Sequence, residues 1–342
     1  MMFRGGGRGS GAAAFPRFDV ADDASDHSYL TTKKKDENRL PNISKDAPKK
    51  IMREWKILEK HLPDSISVRV YANRIDLMTA VIVGSPGTPY HDGLYFFDIR
   101  FSPDYPNSPP WVRYRSYGMR INPNLYASGR VCLSLINTWE GRSSSEKWIP
   151  GKSTILQLLI SIQGLVLNEK PYYNEPYAAV GEFWGELLFG GRQSSAYSED
   201  AYLLCCKTVL HLLRKPPRNF ESFVRSHFRE RGFGILAAMM AYRNGECRVG
   251  YYGIGGGGGG SSALARKGRP SRKFKAGIKE LVPQLATALA KTGASVGNFV
   301  EQLEGEKVER GVDIWAYLSH PALFGALVGL AIISFVLFYF DP

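Results

Sequence analysis

The run FSPDYPNSPP, residues 101–110, carries prolines at 103, 106, 109 and 110 and constrains the fold more than any other stretch. Proline lacks a backbone N–H and has a locked φ, so the interior of a sheet is closed to it. Strands must end before this run and resume after it. Upstream lie SISVRVY, RIDLMTAVIVG and GLYFFDIRF, and downstream lies WVRYRS, all rich in β-branched and aromatic residues. SPGTPYHDG between the second and third is a dense turn cluster. Short links between consecutive strands predict a four-stranded antiparallel meander. In GLYFFDIRF, Asp98 and Arg100 alternate with Phe97, Ile99 and Phe101, the pattern of a strand with one buried face. A helix is expected to cover that face, making the class α+β. KKIMREWKILEKHLP supplies one, with Ile51, Trp55, Leu58 and Leu62 on one side and Pro63 as its stop.

Beyond the proline run, TWEGRSSSEKWIPGKS reads as a polar loop leading into a second helix. Ser153 and Thr154 are placed to cap it, and Ile155, Leu158, Leu159, Ile162, Leu165 and Val166 form its apolar face. Residues 180–252 read as a helical extension, with Tyr202, Leu203, Cys206, Val209, Leu210 and Leu213 periodic in its first part. Residues 1–48, Gly/Ala/Arg-rich and then mixed in charge, read as a disordered tail. The Arg-Gly units there are too few, and acids follow too closely, to predict a nucleic-acid partner. A run of glycines from Gly255 and seven basic residues between Arg266 and Lys279 read as a linker over 253–277. Residues 278–320 read as an amphipathic region interrupted at Pro283 and by glycines.

At 342 residues the chain has room for one or two domains with tails, and a core of residues 49–179 is large enough to bury its own apolar surface. The four cysteines, Cys132, Cys205, Cys206 and Cys247, form no metal-binding pattern and no disulfide framework. With no secretory signal in the sequence, reduced thiols in the cytosol are expected.

Cys132 stands out among the four. A cysteine in an apolar run is ordinarily a small buried hydrophobe. Here Pro123, Asn124 and Gly129 force irregular backbone before it, which places the thiol on a loop, where reactive groups on rigid scaffolds sit. No histidine falls between His91 and His211, so a cysteine-protease dyad is not supported.

The order of these pieces resembles the active site of the ubiquitin-conjugating (UBC-fold) enzymes. Tyr105-Pro106 with Pro109-Pro110, Pro123-Asn124, Gly129 through Leu133, and Trp148-Ile149-Pro150 follow that family's order, with Cys132 eight residues after Asn124. The match covers about Lys50 to Ala179, and the extension is similar to that of the larger plant-type enzymes, including those of phosphate homeostasis. The resemblance implies that Cys132 accepts ubiquitin as a thioester from an activating enzyme and passes it to a lysine of a protein substrate. It implies no bound cofactor or metal, since ATP is consumed by the activating enzyme. It gives Asn124 the role of an oxyanion donor, though a turn asparagine after proline describes the same backbone. Glu175 falls at the position that orients the incoming lysine, beside the plainer reading of a residue ending a helix. Pro106, Asn107, Trp148 and Pro150 fall on the two loops where a ligase docks. Asn107, in place of a bulky apolar residue, is either an altered contact or a simple turn residue. Asn122 stands where the family has histidine, and a looser active-site loop, still active, is expected from that change. The other reading is a non-catalytic ubiquitin-binding adaptor of the same fold, but such variants characteristically lack the cysteine.

Pro321 to Phe340 is twenty residues without a charge. As a helix it would rise about 30 Å, the thickness of a bilayer's hydrocarbon core. A transmembrane tail anchor is expected, holding the catalytic domain on the cytosolic face of an intracellular membrane.

Overall fold

The structure, a computed structural model, describes residues 15–31, 47–138, 146–174, 192–253 and 267–296, with Phe299. Five strands form one sheet in sequence order: β1 (Phe18–Ala21), β2 (Ile66–Tyr71), β3 (Leu77–Val83), β4 (Leu94–Arg100) and β5 (Trp111–Tyr114). The last four make the expected antiparallel meander. The register aligns Val68, Ala80, Phe97 and Tyr114 across it. Helix α1 is a single turn, Ser28–Thr31, in the N-terminal arm. The four aligned side chains are buried in the main core with α2 (Ala47–His61) and α3 (Ile155–Ser161). Thr154 caps α3 by accepting from the Gln157 N–H, as its sequence position suggests.

Two expectations about the sheet are corrected. It has a fifth strand, because Phe18–Ala21, inside the stretch read as a disordered tail, pairs in parallel with β2. Its second face is also buried. Arg69, Thr79 and Asp98 align one residue out of phase with the apolar row, and all three are buried. The N-terminal arm and the extension cover them. Phe15 and Phe220 stack on the Arg69 guanidinium at 3.9 and 5.3 Å, and Phe96 meets Phe220 edge to face at 5.2 Å. Asp98 is held by both nitrogens of a fork on Arg115, each at 2.9 Å, by Thr79 Oγ1 at 2.9 Å and by the Ser28 N–H at 3.0 Å. Arg115 extends the network to Asp26 at 2.8 Å. A charge on this face reads as solvent-facing in the sequence, but here each charge has its partners, which makes burial tolerable.

The extension is helical as expected, and a third helix begins inside the stretch read as a linker. Helices α4 (Arg192–Arg214), α5 (Glu221–Asn244) and α6 (Arg272–Ala290) pack together. The last residues of the stretch read as a linker, 272–277, and the first of the amphipathic region, 278–290, therefore belong to one helix. Phe274, Ile278, Leu281, Val282, Leu285 and Leu289 repeat at spacings of three and four and are all buried. That stripe holds the helix together through Pro283, although an interior proline removes one helical hydrogen bond. Gly277 lets α6 approach α4, since a Cβ there would lie 2.8 Å from Leu203 Cδ1. All these elements lie in one compact unit that runs to Ala294. Among the described residues no helix is long and apolar enough to cross a membrane. The segment 321–340 read as a transmembrane anchor lies outside the described residues.

Candidate active site

The approach to Cys132 is a small irregular hairpin hung on the edge of β5. Arg130 bridges Arg113, Leu125 bridges Val131, and Asn122 bridges Leu125. Gly129 makes the turn possible for two reasons. Its φ is +88°, and a Cβ would stand 2.8 Å from the Tyr114 carbonyl oxygen and 2.9 Å from Arg113 Cγ. The hairpin explains the eight-residue spacing, because it folds Asn124 back against Cys132. The Cys132 N–H donates to the Asn124 carbonyl at 2.9 Å, and Asn124 Nδ2 donates to the Cys132 carbonyl at 2.8 Å. Beyond Cys132, the Thr138 hydroxyl bonds both the N–H and the carbonyl of Leu133, bracing a single turn of 3-10 helix at Ser134–Ile136. The thiol residue is 5% exposed, at the surface end of the core.

Asn122 does not loosen this loop. It is fully buried, and its amide is fully used. Nδ2 donates to the Tyr90 hydroxyl at 2.8 Å and to the Val166 carbonyl at 2.7 Å. Oδ1 accepts from the Asn124 N–H at 2.8 Å and from Asn174 Nδ2 at 3.3 Å. The expectation of a looser loop is therefore overturned: two donors and two acceptor sites are matched at a position with no access to water. Pro123 is buried between the two asparagines. The Val166 carbonyl is available because α3 ends in a π-helical turn over Ile162–Val166, a departure from regular α-helix that often marks functional sites.

Tyr90, Val166, Asn168 and Asn174 support the site and were not singled out in the sequence. Asn174 also donates to the Val166 carbonyl at 3.0 Å and accepts from Asn168 Nδ2 at 2.6 Å. Their signal was weak, since they lie in three separate segments that only the fold brings together. Glu175 lies outside the described residues.

The two loops expected to dock a ligase are joined to each other. Trp148 Nε1 donates to the Pro106 carbonyl at 2.7 Å, and the Trp148 and Tyr105 rings lie 5.8 Å apart. Ile149 and Pro150 are exposed beside them. Asn107 behaves as a turn residue, with its side chain on Asp104 Oδ1 at 3.0 Å and its N–H on the Asp104 carbonyl at 2.8 Å. Beneath these loops Glu54 accepts from the Tyr105 hydroxyl at 2.8 Å and from the Ile155 N–H at 3.0 Å, tying α2 to both the loop and the start of α3. Burial pushes its carboxyl up, opposed by those two hydrogen bonds. The sequence carried a signal here, because Glu54 occupies the apolar face of α2 three residues after Ile51 and four before Leu58.

The other cysteines are placed differently. Cys205 lies in the main core and its thiol is pushed up to about 12 by burial. Cys206 is buried and pushed up further, by burial and by Cys205 beside it. Cys247, partly exposed, is also raised by burial. Among the described residues no three His, Cys, Asp or Glu side chains are grouped to hold a metal ion.

An antiparallel meander backed by two helices, with a cysteine on a hairpin-led loop beyond its last strand, defines a UBC fold. Residues 50–182 match the family described as ubiquitin-conjugating enzyme. Putative ubiquitin-conjugating enzyme E2 38 of Arabidopsis thaliana is 44% identical over 280 residues, covering 82% of each chain. Putative ubiquitin-conjugating enzyme E2 39 of the same plant is 45% identical over 285 residues, covering 82% of this chain and 84% of its own. Probable ubiquitin-conjugating enzyme E2 25 of Arabidopsis thaliana is 46% identical over 301 residues, 86% of this chain, but the chain spans only 46% of that relative's length. The chain belongs to the ubiquitin-conjugating enzyme family.

Proposed function

We propose that the protein accepts ubiquitin from an activating enzyme as a thioester on Cys132 and transfers it to lysine, alone or with a ligase. The carrying observation is the mutual pairing of Asn124 and Cys132, which fixes the thiol residue's backbone beside an amide donor. In the first step the Cys132 sulfur attacks the carbonyl of ubiquitin's C-terminal thioester, and the activating enzyme's thiol leaves. In the second a neutral lysine amine attacks the same carbonyl, an isopeptide bond forms and Cys132 leaves. A hydrogen bond to the oxyanion of that step contributes about 3–4 kcal/mol when well placed. Asn124 is assigned this part, and Glu175 the orientation of the lysine before it loses its proton. ATP is spent by the activating enzyme, and this chain needs no cofactor of its own. The presence of Cys132 weighs against a non-catalytic adaptor.

The test is a charging reaction with activating enzyme, ATP and ubiquitin. A band sensitive to thiol reductant is expected for the wild type and none for Cys132→Ala, while Cys132→Ser should give a slower, reductant-resistant oxyester. Normal charging of Cys132→Ala through Cys247 would remove the assignment.

Membrane attachment through 321–340 is proposed on the sequence alone. That segment has the length and apolar character of a bilayer span. The catalytic core would then work on the cytosolic face, near substrates at that membrane.

A further inference from the structure

Buried Asn122 is supported from two sides, and the extension fastens both supports. On one side its amide donates to the Tyr90 hydroxyl. The extension grips the backbone beside Tyr90: the Tyr202 ring of α4 stacks on His91 at 5.5 Å, and the Tyr242 hydroxyl of α5 bonds His91 Nε2 at 2.9 Å. Just after α5, the Gly250 carbonyl accepts from the Gly87 N–H at 3.0 Å. The two backbones touch there, since a Cβ on Gly250 would stand 3.1 Å from the Thr88 carbonyl oxygen. On the other side Asn174 donates to Asn122 Oδ1. Asn174 ends a 3-10 turn, Pro171–Asn174, that packs against α4. The Tyr172 hydroxyl in that turn donates to Gln193 Oε1 at 2.8 Å. Just before the turn, Glu169 accepts from the Tyr251 hydroxyl. Neighbouring residues 250 and 251 therefore reach both supports of one buried asparagine, although the two supports lie far apart in sequence.

We propose that Tyr251, acting through Glu169, is a positioning residue for the transfer of ubiquitin to lysine, so that the extension completes the active site. The inference rests on the thioester reading of Cys132 and concerns its second step. The segment that Tyr251 fastens ends in Asn174, which bonds Asn122 and directly precedes Glu175, the residue assigned to orient the lysine. Asn122 in turn accepts from the N–H of Asn124, the assigned oxyanion donor. One chain of contacts thus runs from Tyr251 toward both groups that serve the incoming amine. A role in global stability explains the bond less well. Glu169 is exposed and Tyr251 half-buried, where a hydrogen bond competes with water and contributes little to the fold. Alignment is more demanding, since misplacing a supporting group by about 1 Å costs up to about a hundredfold in rate. Formation of the thioester needs only the Cys132 sulfur and is expected to be insensitive to Tyr251.

The experiment charges the full-length protein with ubiquitin, quenches the activating enzyme, and follows single-turnover discharge to free lysine. Tyr251→Phe keeps the ring and removes the hydroxyl, and Glu169→Ala removes its acceptor. Each is expected to slow discharge about three to tenfold, the range of one lost hydrogen bond, while the charging rate and melting temperature stay at wild-type values. The double variant should be no slower than the slower single variant, because both changes remove the same bond. Glu169→Gln keeps an acceptor oxygen and should discharge at close to the wild-type rate. Wild-type discharge by Tyr251→Phe, multiplied losses in the double variant, or a parallel loss of charging and discharge would each overturn the inference and leave the thioester reading standing. Discharge by Glu169→Gln as slow as by Glu169→Ala would do the same. A wild type that fails to charge would overturn both.

Discussion

At the scale of single residues the two asparagines divide the work of the active-site loop. Asn124 spends one side-chain donor on the Cys132 carbonyl, while Asn122 spends its whole amide on the protein. Replacing Asn124 with alanine should leave charging nearly intact and slow discharge to lysine about a hundredfold, measured in single-turnover assays. Equal loss of both steps would mean that the hairpin had collapsed. The reverse is expected at Asn122. An imidazole offers one donor and one acceptor where this site uses two of each, and it is bulkier in a site closed to water. Asn122→His, which restores the family's usual residue, should therefore lose about 2–3 kcal/mol in urea denaturation, by leaving buried groups unpaired. The partners around Asn122 match an amide on both its donors and its acceptor. The substitution was legible in the sequence. Its consequence was not, because the partners Tyr90, Val166 and Asn174 come from segments with no local signal.

At the scale of elements the sheet shows what periodicity can and cannot reveal. Strands β2 to β5 and helices α2 and α3 were legible, because apolar alternation and the proline run mark them directly. Strand β1 was not, because FDVA is short and its surroundings are polar and Gly-rich. It is held by tertiary partners: Arg17 reaches the Leu62 carbonyl at 2.7 Å, and the arm beyond it covers Asp98. His27 lies in that arm, fully buried, with Nε2 at 3.1 Å from the Met78 carbonyl. Asp98, Asp26 and Arg115 surround it, yet burial dominates and lowers its pKa. His227 on α5 is lowered for the same reason, while its ring bonds the Asp92 carbonyl at 2.9 Å. A histidine lowered in the folded state takes up a proton more readily when unfolded. Its stabilising effect is complete above the unfolded value, about 6.5, and is lost as pH falls below it. Asp98 is also held low, by His27 and Arg115 against the opposing effect of burial, and adds a further loss only below about pH 4. Unfolding free energies from urea titrations should thus fall between pH 7.5 and pH 5.5, by up to about 1.4 kcal/mol per histidine per pH unit at the steepest. His27→Gln keeps a donor for Met78 and should flatten that dependence while costing stability at pH 7.5. A pH dependence unchanged by the substitution would place the titration elsewhere.

At the scale of the whole molecule, the extension is part of the folded body, and truncations separate its contribution from that of the apolar tail. Phe220 and Phe228 are fully buried, and Phe220 packs against the sheet through Phe96. Cys205 of α4 is counted in the main core itself. Helix α6 then closes α4 and α5 with its apolar stripe, and its start is fastened by Ser271, whose hydroxyl donates to Glu199 Oε2 at 2.6 Å. The basic run that opens α6 read as a linker, because local composition says nothing of what a later apolar stripe packs against. A chain ending at Ser319 keeps α6 and should melt like the full-length protein, charge equally well, and leave the carbonate-resistant membrane fraction in which the full-length protein is expected. A chain ending at Gly253 loses α6 and uncovers the faces of α4 and α5. Exposing even two side chains of that seam costs about 3–6 kcal/mol, which for a body of this size is on the order of 5–20 °C in melting temperature. Charging by this shorter chain should survive at low temperature, because the Asn124–Cys132 hairpin and the Glu54 tie do not touch α6. An unchanged melting temperature would show that α6 packs too weakly to count as part of the fold. Soluble behaviour of the full-length protein would remove the membrane proposal and leave the rest intact.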